Sequence, residues 1–379
     1  MIQHDIIPSR IKQARVSRGY SMADLGDLVG VSRQAISKYE IGTYTPTEAV
    51  LNRIASALRY EISFFRKPLP ADVASPSTVF FRSQRSTTKK SKDAAKEKIA
   101  IFQEIDKYLR QFVSFPKVNL PTIDYHFTYE QLDIQQIEKF AITVRNYWGL
   151  GDKPIANLIN IFQKNGIMIS VMNLKRNKKI DAFSVWKDAV PYIFLSSEKY
   201  SDVRLRFTLA HELGHLLLHA NYITEEEIKI KVISEKIEKE ADLFAAALLL
   251  PATTFSKDIY STSIDHFINL KKKWKASIGS MIYRCQDLDL LTENQIKYLK
   301  DQMSYNRYWK SEPLDNIIPL EQPFAHKQAF DLILDNHIVT ETDIIEEIGC
   351  EASEIEEYSF LEKGRLTPSS IPDNIIHLF

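Results

Sequence analysis

Apolar positions recur at helical spacing through the first seventy residues, with turn residues between the runs. "PSRIKQARVSRG" puts Ile11, Ala14 and Arg15 on one face and stops at Gly19. "SMADLGDLVG" opens with a capping Ser21 and ends at Gly30, and "VSRQAISKYEIG" opens with Ser32 and ends at Gly42. "TPTEAVLNRIASALRY" places Val50, Leu51, Ile54, Ala55 and Leu58 inward behind Pro46. Ile99, Phe102, Ile105, Leu109 and Phe112 are spaced for one face of a helix over roughly 90–113, and Pro116 and Pro121 break the pattern after it. The alternation in "AFSVW" and the continuous run "YIFLS" predict strands. "RFTLAHELGHLLLH" and "SEKIEKEADLFAAALLLP" predict two further helices, the second ended by Pro251. Past residue 314, "AFDLILDNHI" and "TETDIIEEIG" are helical patterns and the end, "IPDNIIHLF", is apolar. The fold class expected is mainly α with a small β-sheet. Its parts are an N-terminal bundle over 1–69, a basic linker and connecting helix over 70–134, an α+β domain over 135–313 and a helical C-terminal appendage over 314–379.

Composition changes this picture little. The chain has 379 residues, 44% hydrophobic and 26% charged, with formal net charge zero, which is ordinary for a globular protein of two or three domains. The charge is uneven: residues 1–67 hold ten Lys/Arg against six Asp/Glu, and 82–98 hold seven against two. Locally basic segments attract phosphate backbones. For 82–98 a solvated linker is the plainer reading. Two cysteines, Cys285 and Cys350, supply neither a disulfide framework nor a cysteine-rich zinc site. No apolar run approaches a membrane span and no signal core opens the chain, so a cytoplasmic location without membrane contact is expected.

The two short helices on either side of "VGV" match a helix-turn-helix. The second presents Arg33, Gln34, Ser37 and Lys38 outward, side chains that reach base edges or phosphates. The stretch "GVSRQAISKYEIGTYTPTEAVLNRIASAL" resembles the phage-repressor (XRE) type of helix-turn-helix over about sixty residues. That resemblance implies binding to double-stranded DNA, and a homodimer on a two-fold site, since one module alone reads few base pairs. Where that family often carries Gln at the second position of the first motif helix, this chain has Met22. The alternative is a helical bundle that serves protein contacts only.

His211-Glu212-Leu213-Gly214-His215 is H-E-x-x-H. On a helix, residues i and i+4 share a face about one turn apart, so both imidazoles can meet one ion. Glu212 is rotated aside but within reach of a water on that ion. Zinc chemistry needs three protein ligands and one open position, and a carboxylate beside the water can take its proton and deliver it to a leaving amine. The following helix places Glu238 and Asp242 four apart on one face. Glu238 is the expected third ligand, with Asp242 orienting a histidine. Glu240, about 200° around the helix from Glu238, is the fallback. Gly214, in a helix interior where glycine loses about 1 kcal/mol to alanine, suggests close approach of the ligand-bearing helix. His219, one turn on, is read as packing or a hydrogen bond. The competing account of the whole stretch is a buried helix pair with satisfied histidines.

"RLRFTLAHELGHLLLH" followed by "EKEADLFAAALLLP" resembles the ImmA/IrrE-type metallopeptidases, and "VRNYWGLGDKPIANLINIFQKNGIMIS", "IDAFSVWKDAVPYIFLSS" and "LKKKWKASIGSMIYRCQDLDLL" extend the likeness over roughly 135–310. The resemblance implies a zincin-like domain and a zinc endopeptidase that cleaves a specific regulator, often a helix-turn-helix repressor of phage, mobile-element or stress genes. Glu212 would then be the catalytic base/acid, and His211, His215 and Glu238 the ligands of Zn2+. The oxyanion-stabilising group is not named by the sequence, His219 and Tyr222 being merely near. Two further readings stand beside this one: a non-hydrolytic transcription factor whose peptidase-like domain senses a ligand or partner, and self-cleavage within 82–98.

Overall fold

Polar residues cap the helices where the sequence places them. α1 (Pro8–Ser17) starts on a proline. At α2 (Met22–Val29), Ser21 accepts from the Asp24 amide and Asp24 answers in a capping box. Ser32 caps α3 (Arg33–Ile41) and Thr47 caps α4 (Glu48–Leu58). Gly30 and Gly42 close α2 and α3 at φ 69° and 84°, the left-handed conformation that favours glycine. Ile11, Ala14, Leu25, Ile36, Leu51, Ile54 and Leu58 are fully buried between these helices. The computed structural model describes residues 5–69, 79–81, 88–122, 131–172, 181–196 and 203–367, with the backbone alone for 79–81. Residues 82–87 of the basic segment and the apolar end after 367 lie outside the described residues.

β1 (Val79–Phe81) precedes α5 (Lys89–Leu109). The helix expected over 90–113 stops at Leu109, because the next amides turn back on carbonyls three residues behind (Gln111 to Tyr108, Phe112 to Leu109). Phe112 therefore leaves the apolar face and is 39% exposed, while Ile99, Phe102, Ile105 and Leu109 are buried. α6 (Ile134–Tyr147) and α7 (Leu158–Lys164) lead to β2 (Met168–Met172) and to the hairpin of β3 (Ala182–Lys187) and β4 (Val190–Ser196). The sheet order is β1-β3-β4-β2. β2 runs parallel to β4, and β1 lies antiparallel on the outer edge of β3, opposite Phe183, Ser184 and Val185.

The pleat divides the sheet's side chains between two cores. Ile169, Val171, Ala182, Ile193 and Leu195 face the helices that follow the sheet. Met168, Met172, Phe183, Val185, Tyr192 and Phe194 face α5, the N-terminal bundle and the C-terminal helices. Burial on both faces explains the continuous apolar run of β4.

On the first face lie α8 (Arg204–Gly214), continued by a wide π turn His215–His219, then α9 (Glu225–Ile228) and α10 (Lys231–Leu249). α11 (Ala252–Asp258), α12 (Ile264–Trp274), α13 (Ile278–Asp287) and α14 (Glu293–Tyr305) complete that layer. On the second face, α15 (Ala325–Asp335), α16 (Glu341–Ile348) and α17 (Ala352–Ser359) pack inward through Phe330, Ile333, Ile344, Ile355 and Tyr358. They also hold the bundle directly: Glu61 N donates to Gly349 O at 3.0 Å, Ser63 Oγ to Glu346 O at 2.8 Å, and Tyr60 bridges Cys350. α1 is tied to α5 by Arg10, which grips both oxygens of Glu104 at 2.6 and 3.1 Å. Among the described residues no helix is long and apolar enough to cross a membrane.

Candidate metal centre

α8 carries His211 and Glu212, the π turn carries His215 and His219, and α10 carries Glu238, Glu240 and Asp242. Gly214 lets the two elements meet. A Cβ built there would lie 3.2 Å from Ala241 Cα and 3.2 Å from Phe244 Cδ1, tighter than ordinary van der Waals contact.

His211, His215 and Glu238 each aim one ligand atom at a common point, all within 4.8 Å of one another. The two Nε2 atoms are 3.0 Å apart, and Glu238 oxygens lie 3.5 Å from each. The outer nitrogens are also engaged. His211 Nδ1 is 2.7 Å from Asp242 Oδ1, and His215 Nδ1 is 2.9 Å from His219 Nδ1. His219 Nε2 is 3.0 Å from Glu240 Oε2, and Glu240 Oε1 accepts from Leu132 N at 3.0 Å.

With the two carboxylates ionised and the three imidazoles neutral, these contacts allow one placement of protons. Asp242 accepts, so His211 Nδ1 carries the hydrogen and its Nε2 is a lone pair. Glu240 accepts, so His219 Nε2–H donates and His219 Nδ1 is an acceptor. His215 Nδ1–H therefore donates to His219, and its Nε2 is also a lone pair. Two imidazole lone pairs and a carboxylate then converge with no proton to share, an arrangement a divalent cation relieves. This nitrogen and carboxylate donor set suits zinc, so the residues fit the ion that the spacing implies.

Electrostatics agree. Burial pushes His219 down to about 3 and holds His215 below the ordinary imidazole range. Both are neutral, as a ligand and its support must be.

Glu212 is fully buried. Ser184 Oγ, from β3, donates to its Oε2 at 2.7 Å, whereas Oε1 has no hydrogen-bond partner. Burial raises this carboxyl, and the nearby His215 and His211 only partly oppose the rise. Asp242 is exposed and lines a cavity of about 810 Å³, whose walls include Thr208, Lys239, Leu243, Tyr283 and Trp309. The centre thus adjoins the cavity through Asp242, while His211, Glu212 and His215 are fully buried.

In the N-terminal bundle, Arg33, Gln34 and Lys38 are exposed on α3, Ser37 is half-buried, and Ile36 anchors the opposite side. Met22 is half-buried at the start of α2. Gly26 permits the tight approach of the intervening turn: a Cβ there would meet Val31 O at 2.7 Å. Beneath α3, Arg15 pairs with Glu40 at 2.5 and 2.8 Å, both buried.

His211, His215, Glu238 and Asp242 come together as the spacing predicts, with Glu212 beside them. Glu240 points elsewhere, into the His219 contact. One residue escaped sequence reasoning in its role. Ser184 is the one hydroxyl in the alternating strand, which was its only signal. His219 was read as packing or a hydrogen bond, and the structure shows both ring nitrogens bonded.

Comparison with known proteins gives two matches along the chain. Residues 11–65 match the helix-turn-helix family model, and 162–286 match the family model described as the IrrE N-terminal-like domain. Among curated proteins, the SPbeta prophage-derived uncharacterized HTH-type transcriptional regulator YonR of Bacillus subtilis is 36% identical over 58 residues, 15% of this chain and 54% of that protein. An uncharacterized HTH-type transcriptional regulator of Sinorhizobium medicae is 36% identical over 66 residues, 17% of this chain and 48% of that protein. The chain spans about half the length of these curated relatives. The polypeptide therefore joins an XRE-type helix-turn-helix to an IrrE N-terminal-like (ImmA/IrrE-type) domain.

Proposed function

We propose that the protein is a DNA-binding transcriptional regulator carrying a zinc-dependent endopeptidase centre. The carrying observation is the convergence of His211 Nε2, His215 Nε2 and Glu238, while Asp242 and the His219–Glu240 pair engage the outer ring nitrogens. His211, His215 and Glu238 would hold the ion. Zinc bound there would supply Lewis acidity toward a peptide carbonyl and its attacking water.

The chain's own groups do the rest. Glu212 keeps Oε1 free to take the water's proton and return it to the leaving amine. Ser184 holds the other oxygen and so fixes the carboxylate's direction. Asp242 fixes the His211 ring. The exposed Arg33, Gln34 and Lys38, with Ser37, would face operator DNA, and the reading includes a homodimer on a two-fold site. The substrate would be a protein, a regulator such as a helix-turn-helix repressor.

A second reading is a non-hydrolytic factor that senses a ligand at the same centre. It draws on the cavity that Asp242 shares and on the names of the relatives, both transcriptional regulators. Metal analysis followed by Glu212→Gln separates the two. The peptidase reading expects stoichiometric zinc in wild type and in E212Q, with cleavage of a co-encoded regulator lost only in the variant. Purified protein that takes up no divalent metal would sink it. Promoter control that persists unchanged in zinc-free H211A would exclude both.

A further inference from the structure

We propose that His219 is a positioning residue of the centre, held in turn by Glu240. It does not touch the ion. It takes the Nδ1 proton of His215 in a hydrogen bond and so keeps the His215 Nε2 lone pair turned inward. This inference rests on the zinc reading above.

The geometry points to a relay built for one direction. His215 Nδ1 and His219 Nδ1 are 2.9 Å apart, and His219 Nε2 is 3.0 Å from Glu240 Oε2. Glu240 is anchored through Oε1 by the amide of Leu132, which lies just ahead of the N-cap of α6. All three side chains are buried, with His215 and His219 fully so. Both His219 nitrogens are matched: reversing its own proton would set a lone pair against the Glu240 carboxylate, and reversing that of His215 would set a lone pair against His219 Nδ1.

The local backbone supports this use. Residues 215–219 form a π turn, in which the Ala220 amide donates five residues back to His215 O at 3.0 Å. The Leu216 carbonyl accepts from the Trp186 indole at 3.1 Å. Such turns are less favourable than regular helix and recur at functional sites. The arrangement mirrors the other ligand, His211, whose outer nitrogen Asp242 holds directly. One imidazole is thus oriented by an exposed carboxylate and the other by a buried pair. Partners of this kind set ring orientation and raise ligand basicity.

The test uses full-length protein and two replacements that divide the contacts. In His219→Asn, the amide oxygen falls near the place of Nδ1 and can still accept from His215. In His219→Gln, the amide reaches toward Glu240 and leaves His215 without its acceptor. Zinc affinity is read by competition with a chromogenic chelator, and folding of the metal-free proteins by thermal melting. H219Q is expected to weaken zinc binding by roughly 10- to 100-fold, and H219N to recover most of that loss, while the two metal-free proteins melt alike. Glu240→Gln, which keeps the imidazole, is expected to weaken zinc binding in the same direction. Equal zinc affinity for H219N and H219Q, or unchanged affinity in E240Q, would overturn the proposal while leaving the zinc centre standing. Wild type that fails to bind zinc would overturn both.

Discussion

Arg18 and Glu354 form a two-armed ion pair at 2.7 and 2.6 Å across 336 residues of chain. The Arg18 guanidinium also caps the Leu58 carbonyl and lies 4.5 Å over the Tyr60 ring. Tyr358 donates to the same carboxylate at 2.8 Å. The first helix and the last are therefore one assembly. Removing one member of a buried pair leaves the other uncompensated, at a loss of about 3–5 kcal/mol. Glu354→Ala is expected to lower the denaturant midpoint by a corresponding amount. Surface-like behaviour, with a change under about 1 kcal/mol, would contradict the clamp.

The same pair sets an acid limit. Burial would raise the Glu354 carboxyl, but the charge and hydrogen bonds of Arg18 outweigh it and lower it from its ordinary value of 4.5. A carboxyl lowered in the folded state contributes stability that is full above the unfolded value and is lost as pH falls through the folded one. Wild-type stability is thus expected to drop below about pH 4.5 more steeply than that of Glu354→Gln. Denaturant titrations at several pH values give the slopes.

Gly214→Ala opposes two effects. Helix propensity favours alanine by about 1 kcal/mol. The added methyl would press Ala241 and Phe244 from 3.2 Å, and overpacking costs about 1–3 kcal/mol. The neighbour at Ala241 is backbone, which cannot swing away, so the steric term wins. Lower melting temperature and reduced zinc retention are expected. A rise in melting temperature would show that α8 and α10 do not meet as closely as described.

Ser184→Ala leaves both Glu212 oxygens without a donor. Burial already raises this carboxyl, and loss of the hydrogen bond raises it further. A general base works only when ionised, so the acid limb of the cleavage rate should move to higher pH with zinc content unchanged. An acid limb at the wild-type position would remove Ser184 from the machinery.

On the DNA side, Lys38→Ala is expected to weaken operator binding across sequences and to reduce the salt slope by about one, whereas Gln34→Ala should relax base preference. Fluorescence anisotropy at several salt concentrations measures both. A salt slope unchanged in Lys38→Ala would place α3 away from the phosphates.

The centre was legible where a helix's own repeat carries it. His211 and His215 share a face by spacing alone, as do Glu238 and Asp242, and a glycine between bulky neighbours marks the crossing. Ser184 was not legible, because it belongs to a strand that reaches Glu212 only through tertiary packing. The role of His219 depends on the π turn, which a 3.6-residue period does not reveal. The helices of the N-terminal bundle were announced by their caps and terminal glycines. The attachment of that bundle to the C-terminal helices was not, since Arg18 and Glu354 each look like ordinary charges on a solvated face until the chain is folded.

The two-faced sheet brings the halves of the molecule to neighbouring residues. Ser184 sends its hydroxyl to Glu212, while Phe183 sends its ring into the core shared with α5 and the bundle that bears α3. At this point of the sheet, adjacent residues of one strand serve opposite sides. β3 is therefore a shared support: one of its faces backs the histidine cluster and the other backs the core that holds the N-terminal bundle.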